Sequence, residues 1–113
     1  MTALDQTLAA LAEPTRRQVV ELLRQRPRRA GELAESVGIS APLMSRHLRV
    51  LRIHGLVEEQ HGDVLDTRIR MYQLRQEPFL ELRNWLTEVE AFWTDQLEGF
   101  RKHVERSRRG KRS

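Results

Sequence analysis

Residues 30–57 read Ala-Gly-Glu-Leu-Ala-Glu-Ser-Val-Gly-Ile-Ser-Ala-Pro-Leu-Met-Ser-Arg-His-Leu-Arg-Val-Leu-Arg-Ile-His-Gly-Leu-Val, which predicts a short helix, a tight turn and a second helix. Leu33, Ala34 and Val37 share one face at helical spacing. Gly38 supplies the positive φ that ends a helix and turns the chain. Ile39 fills the corner, Ser40 is a good N-cap, and Pro42 is tolerated in the first turn of the next helix. Helix-turn-helix units are built this way, and their second helix is the one that enters a DNA major groove.

The faces of the second helix separate by angle. At about 100° per residue, Met44, Leu48 and Leu51 fall within roughly 60° of one another and face the core. Pro42, Ser45, Arg46 and Arg49 fall on the opposite side, a face with two arginines, a hydroxyl and no acid. Arginine can bond guanine O6 and N7 bidentately, and serine can bond base edges or phosphates. The competing reading is that Arg46 and Arg49 are ordinary solvated helix residues; the attached turn weighs against it.

Upstream, Pro14 suits a first helical position, Glu13 is a mediocre cap, and residues 14–25 are expected to turn Val19, Val20 and Leu23 inward. Residues 24–29, Arg-Gln-Arg-Pro-Arg-Arg, form a basic connector, either solvated or an edge that meets phosphates. Leu4, Leu8 and Leu11 make a stripe that predicts a helix over 3–12, whose Ala, Thr and Gln faces permit close packing.

Downstream, Gly55 closes the second helix. Residues 57–61 and 68–74 read as antiparallel strands joined by the loop 61–67, and a hairpin after a helix-turn-helix is a wing. The apolar residues of the second strand lie on both of its faces. Arg68 and Arg70 stand near the tip, where they can reach phosphates or the minor groove unless Asp63 and Asp66 pair with them.

From Glu77-Pro78 onward the apolar positions are Phe79, Leu82, Leu86, Val89, Trp93, Leu97, Phe100 and Val104, spaced close to a heptad seam. A helix over 78–106 would span roughly 43 Å. Trp85 and Phe92 add a second apolar line, more than a helix needs to cover one side of a small domain. The simplest cover is the same helix of a second copy. A homodimer through the terminal helices is therefore expected, with Leu4, Leu8, Leu82, Leu86, Val89, Trp93, Leu97 and Phe100 in its interface. An intramolecular core is the alternative use of this surface. The tail 107–113 is basic, poor in apolar residues and expected to be disordered.

The 113 residues predict one domain over 1–106, mainly α with a two-stranded β wing. The net charge of +4 is unevenly spread: residues 14–57 hold nine arginines against three glutamates, whereas 77–100 hold six acids against Arg83 alone. A positive middle segment is what counterion release from DNA requires. Eighteen of the twenty basic residues are arginine, which suits bidentate contacts and equally suits a GC-rich genome. With no cysteine there is no disulfide or thiolate metal site, and no apolar run approaches a membrane span. The start, Met-Thr-Ala-Leu-Asp, lacks the basic and apolar regions of a signal peptide, so the cytoplasm is the expected location.

Pro14-Thr15-Arg16-Arg17, Glu32-Leu33-Ala34, Ser45-Arg46-His47-Leu48-Arg49-Val50-Leu51, Gly55-Leu56-Val57 and Tyr72-Gln73-Leu74 follow in an order and spacing that is specific as a set. Through them the chain resembles the ArsR-type winged-helix transcriptional repressors over essentially its whole length. The resemblance implies a homodimer on a palindromic operator, often at its own promoter, released by a signal. By position it implies DNA contacts from Ser40, Pro42, Ser45, Arg46 and Arg49, with Arg68 and Arg70 on the wing, while His47 sits at the edge of the core face. Metal-sensing members resembling this chain use cysteines in the helix at 31–37, or carboxylates and histidines on the last helix. The first set is absent, and His54, His61 and His103 stand far apart, so no metal and no cofactor are expected and any small-molecule effector is unknown.

Two other classes compete. A winged-helix module for protein–protein association would dock through the aromatic last helix. Catalysis would need a nucleophile or a phosphate loop; there is no cysteine or Gly-rich loop, and Ser45 and His47 lie about 200° apart around their helix, so no catalytic residue is assigned.

Overall fold

Among the described residues, five helices and two strands follow one another as α1 (Ala3–Leu11), α2 (Pro14–Gln25), α3 (Ala30–Val37), α4 (Ala41–Ile53), β1 (Val57–His61), β2 (Arg70–Leu74) and α5 (Gln76–Gly110). They come from a computed structural model that describes residues 1–61 and 70–110. The expected loop 61–67, apart from the strand residue His61, and the first strand residues Arg68 and Ile69 lie outside the described residues. The chain divides into two compact units, Met1–Glu81 and Leu82–Ser113, with the boundary inside α5.

In the first unit α1, α2 and α4 each start on a side-chain cap, and α3 has none. Thr2 and Asp5 form a reciprocal capping box at 3.1 Å in both directions. The Glu13 carboxylate accepts from the Arg16 amide at 2.9 Å ahead of Pro14, a more effective cap than its residue type suggests. Ser40 Oγ accepts from the Leu43 amide at 3.3 Å, with Pro42 inside the first turn of α4.

The core is built from Ala10, Val19, Leu23, Leu33, Ala34, Met44, Leu48, Leu51, Leu56 and Val57. Val20 is only half-buried. The leucine stripe of α1 is not its buried face: Thr7 and Ala10 are buried there, while Leu4 is half-buried and Leu8 is 39% exposed. Small side chains let the helix backbone come close to its neighbours, and the Thr7 hydroxyl donates to Ala3 O within its own helix, at 3.0 Å.

His54 caps α4 and Gly55 follows it at φ +80°. The Gly55 and Leu56 amides reach back to Arg52 O and Leu51 O at 3.0 and 2.9 Å, the paired bonds of a Schellman ending. That turn sends the chain into the wing, where Val57 pairs with Leu74, Glu59 with Tyr72 and His61 with Arg70. Both faces of β2 from Met71 to Leu74 are half-buried, as the apolar residues on both sides of this strand imply. A link the sequence does not advertise joins the wing to the connector before α3. Arg28 and Tyr72 exchange backbone bonds at 3.1 and 2.8 Å, adding a one-residue third strand.

The second unit is the continuation of α5. The helix reaches Gly110, so residues 107–110 of the expected disordered tail are helical. Arginine is a good helix former, and Arg101 pairs with Glu105 one turn on at 3.5 Å. Within this unit Phe92 and Trp93 meet edge to face at 5.8 Å, and Leu86, Trp93, Leu97 and Phe100 are exposed while Leu82 and Val89 are half-buried.

Candidate nucleic-acid interface

The turn between α3 and α4 sets how α4 is presented. Gly38 takes φ +82° and ψ 37°, and its amide and that of Ile39 both return to Ala34 O, at 2.9 and 3.1 Å. A side chain at residue 38 would meet no atom within 4 Å, so glycine is required there by backbone conformation rather than by space.

Helix α4 then buries Met44, Leu48 and Leu51 fully. Ser40, Pro42, Ser45, Arg46 and Arg49 are all exposed, so the structure brings these expected contact residues together around the start and outer face of one helix. Arg70 is exposed on β2 and borders the same cleft as Ser45 and Arg49. Arg68 lies outside the described residues. His47 is half-buried, its Nδ1 3.9 Å from a Glu13 oxygen, so it closes the α4–α2 contact rather than facing outward.

The arginines of 14–57 differ in what they do. Arg16 Nε and Arg17 Nη1 satisfy the last carbonyls of α1, at Ala10 O and Leu11 O, both at 2.7 Å. Arg24 pairs with Glu21 at 2.8 Å, Arg26 with Glu32, and Arg52 with Glu59 at 2.6 Å. Arg28 is neither a solvated connector nor a phosphate edge. It is buried, donating to Leu22 O at 3.0 Å, Glu32 at 2.8 Å and Gln25 at 2.7 Å. Its burial could not be found from composition, because nothing local distinguishes it from Arg26 and Arg29.

Arg46 and Arg49, by contrast, have no hydrogen-bond or ion-pair partner among the described residues. Their guanidinium groups are exposed with their donors unspent, which is the arrangement a polyanion would use.

Two carboxylates lie low in pKa, for structural reasons. The Arg26 guanidinium, and after it Arg28, holds Glu32 below the ordinary range against the opposing effect of burial. Burial would raise Glu13, but the Arg16 amide and the His47 ring together carry it below its ordinary value. Burial first, then its bond to Glu59, raises the Tyr72 hydroxyl, which keeps it a proton donor. Among the described residues no three His, Cys, Asp or Glu side chains are grouped to hold a metal, and no helix is long and apolar enough to cross a membrane.

Residues 13–59, which include α2, the turn and α4, match the family model described as bacterial regulatory protein, arsR family. The chain is also 40% identical over 96 residues to the HTH-type transcriptional regulator Rv2034 of Mycobacterium tuberculosis, covering 85% of this chain and 83% of that one. The chain belongs to the ArsR family. This ArsR-family protein also shares its fold with the crystal structure of ArsR family transcriptional regulator RHA00566, at TM-score 0.72 and 29% identity over 81% of this chain and 97% of that one. The homodimeric winged helix-turn-helix DNA-binding domain of Mb0332 from Mycobacterium bovis, a possible ArsR-family regulator, matches at TM-score 0.62 and 27% identity, over 79% of each chain. The ArsR assignment makes α3–α4 the helix-turn-helix, the β1–β2 hairpin the wing, and the protein a DNA-binding transcriptional regulator rather than an enzyme.

Proposed function

We propose that this ArsR-family chain is a repressor that binds a palindromic operator as a homodimer, at its own gene or a neighbouring one. The observation that carries the reading is the outer face of α4, where Arg46 and Arg49 stand exposed without partners beside Ser45 and Pro42. In this reading α4 enters the major groove, Ser40 and Ser45 meet phosphates or base edges, and the wing arginines Arg68 and Arg70 reach the adjoining backbone.

The dimer is supported by the exposed row Leu86, Trp93, Leu97 and Phe100, apolar surface that a second copy of the same helix would cover. Leu82 and Val89 belong to the same row of α5, and Leu4 and Leu8, left outside the core by the Thr7–Ala10 packing, are the α1 positions this reading assigns to the dimer. The Mb0332 domain is described as homodimeric, which favours a dimer here as well. Two α4 helices seated in successive major grooves on one face of the duplex would lie about one DNA turn, roughly 34 Å, apart. Occupying that site would keep polymerase from a promoter that overlaps it.

Selection of bound duplexes from a random pool, at stated salt, tests the reading. The expected product is an inverted repeat whose half-sites are centred about 10 base pairs apart. A pool that stays unenriched, or that yields an unpaired half-site, counts against it.

A further inference from the structure

Glu59 is out of place in this picture. It borders the cleft between α4 and β2, about 220 Å³, whose rim also carries Ser45, Arg49, Arg52 and Arg70. A carboxylate among three arginines lowers the attraction of that cleft for phosphate. Glu59 is nevertheless tucked in, its side chain 18% exposed, and spends one oxygen on two donors: Arg52 Nη1 at 2.6 Å and the Tyr72 hydroxyl at 3.0 Å.

The strand register explains how these groups meet. Glu59 and Tyr72 are directly opposite each other. The amide and carbonyl of Tyr72 are both engaged by Arg28, on the other edge of β2. The Glu59–Tyr72 pair is therefore of the non-hydrogen-bonded kind, in which facing side chains come closest. A continuous series of bonds thus runs from the α2–α3 connector through the Tyr72 backbone, the Tyr72 hydroxyl and Glu59 to Arg52 on α4.

We propose that Glu59 is a positioning residue for DNA binding: its carboxylate braces the wing against α4 so that the cleft between them stays open to a DNA phosphodiester flanked by Arg49 and Arg70. The proposal rests on the DNA-binding reading above and adds a role for a side chain that reading leaves unexplained. It differs in sign from the electrostatic expectation. If Glu59 were only a repelling charge, removing it would tighten binding to every duplex. As a brace, its removal costs operator binding in particular, because the alignment of Arg49 and Arg70 matters most where both bind at once.

The test uses full-length protein, the duplex enriched with the wild type, and a shuffled duplex of equal composition. Glu59→Ala should weaken binding to the enriched duplex at least tenfold and leave the shuffled one unchanged or tighter. Glu59→Gln keeps a neutral acceptor and Tyr72→Phe keeps the Arg52 pair, so both should fall between Glu59→Ala and the wild type. Arg52→Ala added to Glu59→Ala should cost nothing further, since the two act through one bond. Thermal melts identify any variant that is simply unfolded, which would lose both duplexes together; Tyr72→Phe and Glu59→Gln then decide. Tighter binding of both duplexes by Glu59→Ala, with a salt slope steeper by about 0.9 as Arg52 is freed to meet a phosphate, overturns the brace. So does an Arg52→Ala loss that simply adds to that of Glu59→Ala. If the wild type itself enriches no duplex, the DNA reading fails first and the brace goes with it.

Discussion

Replacing Arg28 by alanine removes three side-chain hydrogen bonds at once, and the structure says which of them matters. Glu32 keeps Arg26 as a partner, and Gln25 is exposed, so water takes over there. Leu22 O, near the end of α2, loses the guanidinium that satisfies it at 3.0 Å in a part-buried site, at a cost of about 1–3 kcal/mol. The stem of this buried side chain loses roughly two methylenes of packing, about 1.5 kcal/mol. The sum is about 2.5–4.5 kcal/mol, a fall in Tm on the order of 20 °C for a body of this size. Urea unfolding followed by far-ultraviolet circular dichroism, at matched protein concentrations because any self-association couples to stability, measures it. Arg29→Ala is the control, an exposed neighbour with no side-chain capping bond, expected within about 0.5 kcal/mol of wild type. If Arg28→Ala unfolds with Arg29→Ala, the assignment of Arg28 to the interior is wrong.

Gly38→Ala should lose about 1–2 kcal/mol for its left-handed backbone alone, with Gly38→Asn recovering part of it; equal stability of Gly38→Ala and wild type in a thermal melt would contradict this. Leu97→Asp should shift the protein from dimer to monomer in light scattering and weaken operator binding through lost avidity, whereas an unchanged dimer would place the interface elsewhere. Because Glu32 titrates below its ordinary pKa when folded, its stabilisation is complete above about pH 4.5 and is lost as pH falls through the folded value. Glu32→Gln should therefore show a shallower loss of stability on acidification in urea titrations, and an identical slope would rule the ion pairs out as its cause.

The helix-turn-helix was legible because its signals are local. Gly38, Ser40 and Pro42 fix the turn and the cap, and the spacing of Met44, Leu48 and Leu51 fixes which side of α4 faces out. The strands were legible nearly as well: Gly55 ends α4, and residues 57–61 and 70–74 are extended where strands over 57–61 and 68–74 were expected. What stayed hidden depends on contacts distant in sequence. Tyr72 lies 44 residues from Arg28, and no periodicity marks their backbone pairing. Arg28 and Arg26 look alike in a basic run, yet only Arg28 turns inward to meet Leu22 O. Helix α1 was legible in part: its Ala and Thr faces permit close packing, and Thr7 and Ala10 are the residues it buries. Nothing in the sequence marks Glu59, whose contacts depend on the register that sets it opposite Tyr72.

Arg46 and Arg49, on the exposed face of α4, are the proposed readers of DNA. Equilibrium binding of the double variant Arg46→Ala/Arg49→Ala to the duplex enriched with wild-type protein, at one fixed salt concentration, tests that most directly. Each arginine that contacts a base should cost about 1–3 kcal/mol and relax preference at one position of the site, with unfolding unchanged. Wild-type affinity in the folded double variant would contradict the account.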